Sequence, residues 1–226
     1  MKYFFYWIVF IFILLPLPAF SQAQATTDTQ RAMQNYHTGR DLESRNLMSE
    51  ANVFYNEALR LSNAEISRNA ANRDTYTALI WTLRRLHRYA EVISWGEQAL
   101  RLYPDEFRIV QTMGEAYFYL NDLSRSLTFM QRYVNSVPQG ERASVAYFFI
   151  GEIYRTRGQF HHADIAYTTA VRLEPRLALW WFRLGSAREE VGDFSQAIEA
   201  YEQAIRLNPN YREANDGLVR SRRQVN

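Results

Sequence analysis

The C-terminal part of the chain contains one pattern twice, at an interval of 34 residues. The first copy consists of Tyr147, Ile150, Gly151, Tyr154, Gly158, Ala163, Tyr167, Ala170 and Pro175. The second copy consists of Trp181, Leu184, Gly185, Gly192, Ala197, Tyr201, Ala204 and Pro209. A period of this length predicts an array of similar structural units, each of which needs its neighbours to bury an apolar face.

Each copy has the features of two helices joined by a turn. Tyr147, Ile150 and Tyr154 are spaced as i, i+3 and i+7, which places them on one face of a helix. Gly158 then marks the turn, and Pro175 stops the second helix. The glycines and alanines that the two copies share allow neighbouring helices to pack closely. The pattern therefore predicts a helical protein.

Weaker copies of the pattern precede these two, which gives five copies in all. The five copies cover residues 32–65, 73–106, 107–140, 144–177 and 178–211. The positions that define the pattern are Gly39, Gly114, Gly151, Gly185, Ala163, Ala197, Pro104, Pro138, Pro175 and Pro209. The spacing slips at 66–72 and at 141–143, where we expect longer connections or extended helix ends. Residues 212–226 combine an apolar side with several arginines, which predicts a final capping helix.

Three positions depart from the pattern. Ile80 stands where a glycine is expected, Gly96 replaces a bulky residue, and Arg188 replaces a tyrosine. A bulky core residue that is lost leaves unfilled space. We therefore expect loose packing at Gly96 and at Arg188.

The pattern resembles the tetratricopeptide repeat, whose period is 34 residues and whose signature is W-x2-L-G-x2-Y, then A-x3-F, then P. The resemblance covers residues 32–211 and is most specific in the last two copies. It implies an all-α fold, a right-handed α-solenoid of five helix-turn-helix repeats with a C-terminal capping helix. It also implies that the first helices of the repeats line a concave groove that holds another protein or a peptide.

The groove-facing places in this family are the second, fifth, ninth and twelfth of each repeat. The resemblance therefore implies a partner-binding groove that contains Tyr36, Arg40, Trp81, Arg84, Gln111, Glu115, Phe118, Phe148, Glu152, Arg155, Phe182 and Glu189. The same places also fall on Met33, Glu43, Asp74, Thr77, Arg108, Val145, Leu179 and Ser186. Aromatic residues and arginine are the usual anchors of protein interfaces. Each ring either meets a ligand or fills a gap between repeats, and the sequence leaves both interpretations open.

The first 23 residues have the order of a secretory signal peptide. Lys2 supplies the positive charge, an apolar run covers 3–15, and the small residues Ser21 and Ala23 fit a cleavage site. This run is shorter than the roughly 20 residues that a membrane-spanning helix needs. An uncleaved anchor stays open as the alternative, and residues 24–31 form a linker. We therefore expect an exported protein, periplasmic or secreted, or one that this segment anchors to the inner membrane.

The sequence lacks the residue sets that enzymes and metal sites require. The chain contains no cysteine, so it offers no thiol nucleophile and no thiolate ligand. Only His161 and His162, with Asp164, suggest a metal site, but adjacent residues of a helix do not face each other. The formal net charge of +2 argues against nucleic-acid binding. We expect no catalysis, no cofactor, no metal and no nucleic-acid partner.

Three functions fit these observations. The favoured one is a non-catalytic scaffold in the cell envelope that binds a partner protein or peptide in the concave groove. The alternatives are a membrane-tethered accessory subunit of a transporter or secretion complex, and a repeat protein that binds a small ligand. Contact with a membrane is expected only if the N-terminal segment stays uncleaved. Lys2 is the only lysine, which argues against the lysine-dependent clamp by which some family members hold a peptide tail.

Overall fold

The computed structural model describes residues 27–225, and all regular secondary structure within them is helical. The helices of this range are α1 (Asp28–Ser44), α2 (Met48–Ser67), α3 (Arg73–Arg85), α4 (Tyr89–Leu102), α5 (Phe107–Tyr119), α6 (Leu123–Ser136), α7 (Ala143–Thr156), α8 (Phe160–Leu173), α9 (Ala178–Glu190), α10 (Phe194–Leu207) and α11 (Arg212–Val225). The predicted all-α repeat solenoid is confirmed. The predicted signal segment, 1–23, lies outside the described residues.

Consecutive helices form five pairs that stack in chain order. The first helix of a pair packs on the second, and the second packs on the first helix of the next pair. First helices also contact each other directly, as α1 does with α3, α3 with α5, and α5 with α7. This row of first helices forms one face of the stack, which we call the concave face. Among the helices of 27–225, none is both long enough and apolar enough to cross a membrane.

One residue with a positive φ lies in the turn between the two helices of every pair. In the first three pairs this residue is Asn46, His87 or Asn121, with φ between 57° and 62°. In the last two pairs it is Gly158 or Gly192, with φ of 70° and 80°. A left-handed residue at this point ends the first helix and turns the chain back along it. The glycines of the last two repeats are therefore the residues for which this conformation costs least.

The glycine of the first helix makes room for a large side chain of the second helix. A Cβ atom built on Gly151 would lie 2.5 Å from the ring of Tyr167, and one on Gly185 would lie 2.8 Å from the ring of Tyr201. Both tyrosines are fully buried. Any larger residue at these glycines would displace an aromatic ring from the core, so the glycine and the tyrosine form one packing unit.

The second repeat exchanges these roles, and the expectation of loose packing at Gly96 is wrong. Ile80 is fully buried in the first helix of this repeat, and Gly96 is buried in the second. The side chain of Met113 fills the space over Gly96, since a Cβ atom there would lie 2.5 Å from its sulfur. An unbranched methionine adapts to an irregular gap, so the core stays closed here.

Arg188 also sits in a well-filled site, contrary to the expectation from sequence. Its guanidinium Nε donates a hydrogen bond of 3.0 Å to Asp164, and Nη1 donates one of 3.2 Å to the carbonyl oxygen of Gln196. Only 13% of the Arg188 side chain is exposed. In place of the packing of a tyrosine, Arg188 of α9 forms an ion pair with α8 and a hydrogen bond with α10.

Candidate functional site

The concave face contains a cavity of about 560 Å³ between α1, α3, α5 and the segment that precedes α7. We call it the arginine cavity. Its lining consists of Tyr36, Arg40, Arg73, Trp81, Arg84, Arg85, Asp105, Glu106, Phe107, Arg108, Gln111, Thr112, Tyr133, Val137, Gly140, Glu141 and Arg142. Six of these residues are arginines and three are acidic. The cavity is therefore a polar site whose hydrogen-bond donors come mainly from guanidinium groups.

A buried carboxylate organises one wall of the cavity. Glu115 is fully buried on α5 and accepts hydrogen bonds from Arg84, from Arg142 at 2.6 Å and from Gln111 at 2.5 Å. Burial by itself would raise the pKa of Glu115, but the two arginines outweigh it and hold the pKa below its usual value. Glu115 is thus an anion that fixes two guanidinium groups at the cavity wall.

The other arginines of the cavity differ in how completely acidic residues hold them. Arg108 is well held, because it donates to Glu106 at 2.6 Å and to Asp74 at 2.9 Å. The Nε atom of Arg73 lies 3.6 Å from the Glu106 carboxylate. This distance allows an ion pair but is too long for a hydrogen bond. Donors at the rim are therefore open to a further acceptor.

Two arginines provide the clearest open donors. Arg85 donates from Nη1 to Glu43 at 3.2 Å, but its buried Nε has no hydrogen-bond partner among the described residues. Arg40 is exposed and makes no ion pair within 27–225. Its guanidinium lies 5.9 Å from the centre of the Tyr36 ring. Arg40 therefore offers accessible donors at this end of the cavity, beside an Arg85 that is only partly paired.

Aromatic side chains form the apolar part of the wall. The rings of Tyr36 and Trp81 lie 5.3 Å apart, and Arg108 lies over the Trp81 ring at 5.9 Å. Tyr36 is buried, whereas Trp81 is partly exposed to the cavity. A flat aromatic surface beside guanidinium groups can hold an apolar side chain and an anion together.

The concave face of α7, α9 and α11 has a different polar layer. Tyr167 donates to Glu152 at 2.5 Å, and the same carboxylate also pairs with Arg155 at 3.0 Å and with Arg183 at 2.9 Å. Burial and the nearby Glu152 carboxylate raise the pKa of Tyr167. The phenol therefore stays protonated and remains a donor.

The same arrangement recurs one repeat later. Tyr201 donates to Glu189 at 2.6 Å, and Arg220 of α11 binds the same carboxylate through two hydrogen bonds of 2.8 and 2.9 Å. Burial by itself would raise the pKa of Glu189, but these hydrogen bonds lower it. This ion pair joins α9 to the C-terminal helix α11.

The structure separates the predicted groove residues into two groups. The arginine cavity is lined by Tyr36, Arg40, Trp81, Arg84 and Gln111, with Glu115 buried directly behind its wall. The remaining predicted residues lie farther along the concave face and are Phe118, Phe148, Glu152, Arg155, Phe182 and Glu189.

The predicted aromatic residues of the second group pack against other rings. Phe118 lies 5.1 Å from Phe149, and Phe148 stacks on Trp180 with ring centres 5.0 Å apart. Phe182 lies 5.1 Å from Tyr211. Phe118, Phe148 and Phe182 are each partly buried, so each ring both fills a gap between repeats and presents an edge to solvent.

Sequence reasoning missed several lining residues. Arg73 and Arg85 lie at the two ends of α3, outside the four groove-facing places of the repeat. Arg142 falls within the three-residue slip at 141–143, where the repeat numbering does not apply. The number of arginines in the second and third repeats was the available signal for them.

No group of three or more potential metal ligands comes together within 27–225. His161 and His162 are exposed on α8, and His162 packs against the ring of Tyr154 at 5.1 Å. The described part of the concave face presents guanidinium donors, carboxylates and aromatic rings.

Comparison with known proteins identifies the repeats. Models of the tetratricopeptide repeat family match residues 144–177 and 178–211. A comparison with curated protein sequences finds no match.

Solved structures of low sequence identity share the fold. MamA from Desulfovibrio magneticus RS-1 is 18% identical with a TM-score of 0.61, over 80% of this chain and 97% of that chain. YrrB, a TPR protein described as having an unusual peptide-binding site, is 20% identical with a TM-score of 0.55, over 82% and 90%. TTC0263 from Thermus thermophilus is 17% identical with a TM-score of 0.59, over 86% and 98%. Residues 144–211 are therefore two tetratricopeptide repeats, and the likeness to these structures shows that the described chain shares their fold.

Proposed function

We propose that the chain is a non-catalytic scaffold that holds a segment of a partner protein on its concave face. The observation that carries this proposal is the arginine cavity, in which open guanidinium donors lie beside the partly exposed ring of Trp81. Arginine and tryptophan dominate the binding energy of many protein interfaces. The peptide-binding site attributed to YrrB supports the proposal by analogy, because that protein shares the fold.

The test compares the arginine cavity with the exposed surface of the second helix α8. Trp81→Ala and Arg40→Glu alter the cavity, whereas Ile165→Ala alters an exposed residue of the second helix α8. Each variant is used to capture cross-linked partners from the cell envelope, after its folding has been checked by circular dichroism and thermal melting. We expect the same proteins to be captured by the wild type and by Ile165→Ala, and to be lost with both cavity variants. Equal capture by all four proteins would contradict the proposal.

A small ligand is the second candidate for the cavity. Its volume of about 560 Å³ lies within the range of roughly 300–1,000 Å³ that is typical of small-molecule sites. This alternative predicts that metabolites bound to the purified protein can be detected by mass spectrometry after denaturation. It also predicts that partner capture does not change with Arg40→Glu.

We propose further that the scaffold acts beyond the cytoplasmic membrane. The support is the signal-like order of residues 1–23, which lie outside the described part of the chain. N-terminal sequencing of the protein from its native cells tests this location. A start after Ala23 supports a free exported protein, and a start at Met1 in the membrane fraction supports the tethered accessory subunit. A start at Met1 in the cytosol would contradict both.

A further inference from the structure

Basic residues at both ends of α3 line the arginine cavity. Arg73 begins α3 and Arg85 ends it, and both line the cavity. Their Cα atoms are twelve positions apart along α3, which corresponds to about 18 Å at a rise of roughly 1.5 Å per residue. Arg40 of α1 lines the cavity too and lies near the Tyr36 ring, and Arg85 pairs with Glu43 of the same helix α1. The open donors are therefore distributed between two ends and are not gathered at one point.

An extended chain matches this length. A peptide in the β conformation rises about 3.3 Å per residue, so five or six residues span about 18 Å. Trp81 lies on α3 between the two ends and presents a partly exposed ring. A peptide that suits this site carries an acidic side chain at each end and an apolar side chain between them, opposite Trp81.

Acidic residues of the cavity limit how much negative charge it accepts. Glu106 is held by Arg108, but Asp105 and Glu141 are exposed lining residues that make no ion pair within 27–225. These two carboxylates repel a continuous acidic run. The cavity therefore favours a segment with two separated acids over a polyacidic stretch.

We propose that the arginine cavity binds an internal, extended segment of a partner protein that carries two acidic side chains about five residues apart, with an apolar residue between them. This proposal rests on the scaffold function proposed above and names the chemistry of its partner. One acidic side chain lies at Arg73, and the other lies at Arg40, beside the partly exposed guanidinium of Arg85. The contacts go to side-chain carboxylates, so the segment needs no free C-terminus.

The experiment is a selection from a library of random eight-residue segments, each displayed between two fixed flanks so that no terminus is free. The segments selected by the protein are then made as acetylated and amidated peptides for calorimetry. We expect the selected segments to carry two acids four to six positions apart. Changing both acids to the corresponding amides should weaken binding at least tenfold, and added salt should weaken it as well.

Protein variants assign the interaction to the cavity. The double variant Arg40→Glu/Arg73→Glu should lose at least tenfold in affinity for the same peptides. Arg223→Glu, at an exposed arginine of α11, is the matched control and should bind like the wild type.

The outcomes separate the two proposals. Selected segments that lack the acid pair but lose binding with Trp81→Ala would overturn the acidic partner and leave the scaffold function intact. Enrichment of no segment at all would count against both. Peptides that bind the double variant as tightly as the wild type would show that their site lies elsewhere.

Discussion

Glu115 in the third repeat and Glu152 in the fourth occupy the same place on the concave face but have different surroundings. Glu152 takes one of its hydrogen bonds from Tyr167 of the second helix, together with Arg155 and Arg183. In the third repeat the second helix carries Met130 where the tyrosine stands in the fourth. There, Glu115 depends on Gln111 and on two arginines.

The difference teaches how a repeat can change its binding surface without changing its fold. Residues 144–211 keep the tyrosine, and they match the family models. In the second and third repeats, Gly96 and Met130 replace it, and the polar layer is built from arginines of neighbouring repeats. Most of the arginine cavity lies in this departing region, and α1 of the first repeat contributes Tyr36 and Arg40. Packing inside a repeat stays similar in kind, while the groups that face a partner are free to vary.

The largest expected effect is the removal of Glu115. Glu115→Ala leaves Arg84 and Arg142 without their shared carboxylate, and we expect it to cost about 3–5 kcal/mol of unfolding free energy. Glu152→Ala should cost less, since the Glu152 side chain is 10% exposed and that of Glu115 only 1%, so water replaces the lost carboxylate more readily at Glu152. Urea unfolding of both variants measures the difference, with Glu97→Ala on the surface of α4 as control. Equal losses of unfolding free energy would mean that Glu115 and Glu152 contribute equally to stability, which contradicts the comparison.

A pair of glycine substitutions tests the packing difference. Gly151→Ala pushes against the rigid ring of Tyr167, and overpacking of this kind costs about 1–3 kcal/mol. Gly114→Ala meets the flexible end of Met130 at 3.0 Å, and alanine is the better helix former by about 1 kcal/mol. We therefore expect a clear loss of melting temperature for Gly151→Ala and almost none for Gly114→Ala. The reverse order would contradict the contrast between tyrosine and methionine.

Acid should weaken the middle region through Glu115. The pKa of Glu115 is lower in the folded protein than in the unfolded chain, where it is about 4.5. The ionised carboxylate therefore stabilises the fold at a pH above 4.5, and this contribution is lost as the pH falls through the pKa of the folded state. We expect the unfolding free energy to decrease between pH 5 and pH 3. Glu115→Gln should decrease less steeply over the same range, because one of the titrating groups is gone. Identical slopes would show that Glu115 does not contribute.

The smallest expected effect concerns the end of the stack. Arg220 is 57% exposed, so its two hydrogen bonds to Glu189 are largely accessible to water. We expect Arg220→Ala to cost less than about 1 kcal/mol, as is usual for surface ion pairs. The melting temperature in low and high salt measures it, and the difference from wild type should shrink in high salt. A loss as large as that of Glu115→Ala would contradict this expectation, because the exposed Arg220–Glu189 pair would then stabilise the protein as much as the buried ion pairs of Glu115.

The fold was readable from the sequence because its signals are local. The 34-residue spacing and the glycines at Gly158 and Gly192 indicate helix pairs and turns, and both glycines adopt a positive φ. Packing between repeats was harder to predict. Met113 fills the space over Gly96 from the next repeat, and a sequence pattern confined to one repeat does not contain that contact.

The site was predictable only in outline. The repeat numbering selected Arg40, Trp81 and Arg84, which line the cavity, and their role in partner binding stays a prediction. It missed Arg142 because the register slips just before α7. It also gave no indication that Glu115 is buried, since that burial depends on two arginines brought together by the stacking of three repeats.

The position of Glu115 has a consequence for cooperativity. Repeat arrays whose units touch only their immediate neighbours tend to fray from the ends, one unit at a time. The Glu115 carboxylate of the third repeat pairs with Arg84 of the second repeat and with Arg142, which directly precedes α7 of the fourth, so that one buried anion links three units. Helices α3–α7 should therefore exchange their amide hydrogens as one block, later than the outer helices. The walls of the cavity would then keep their shape while the ends of the array open and close.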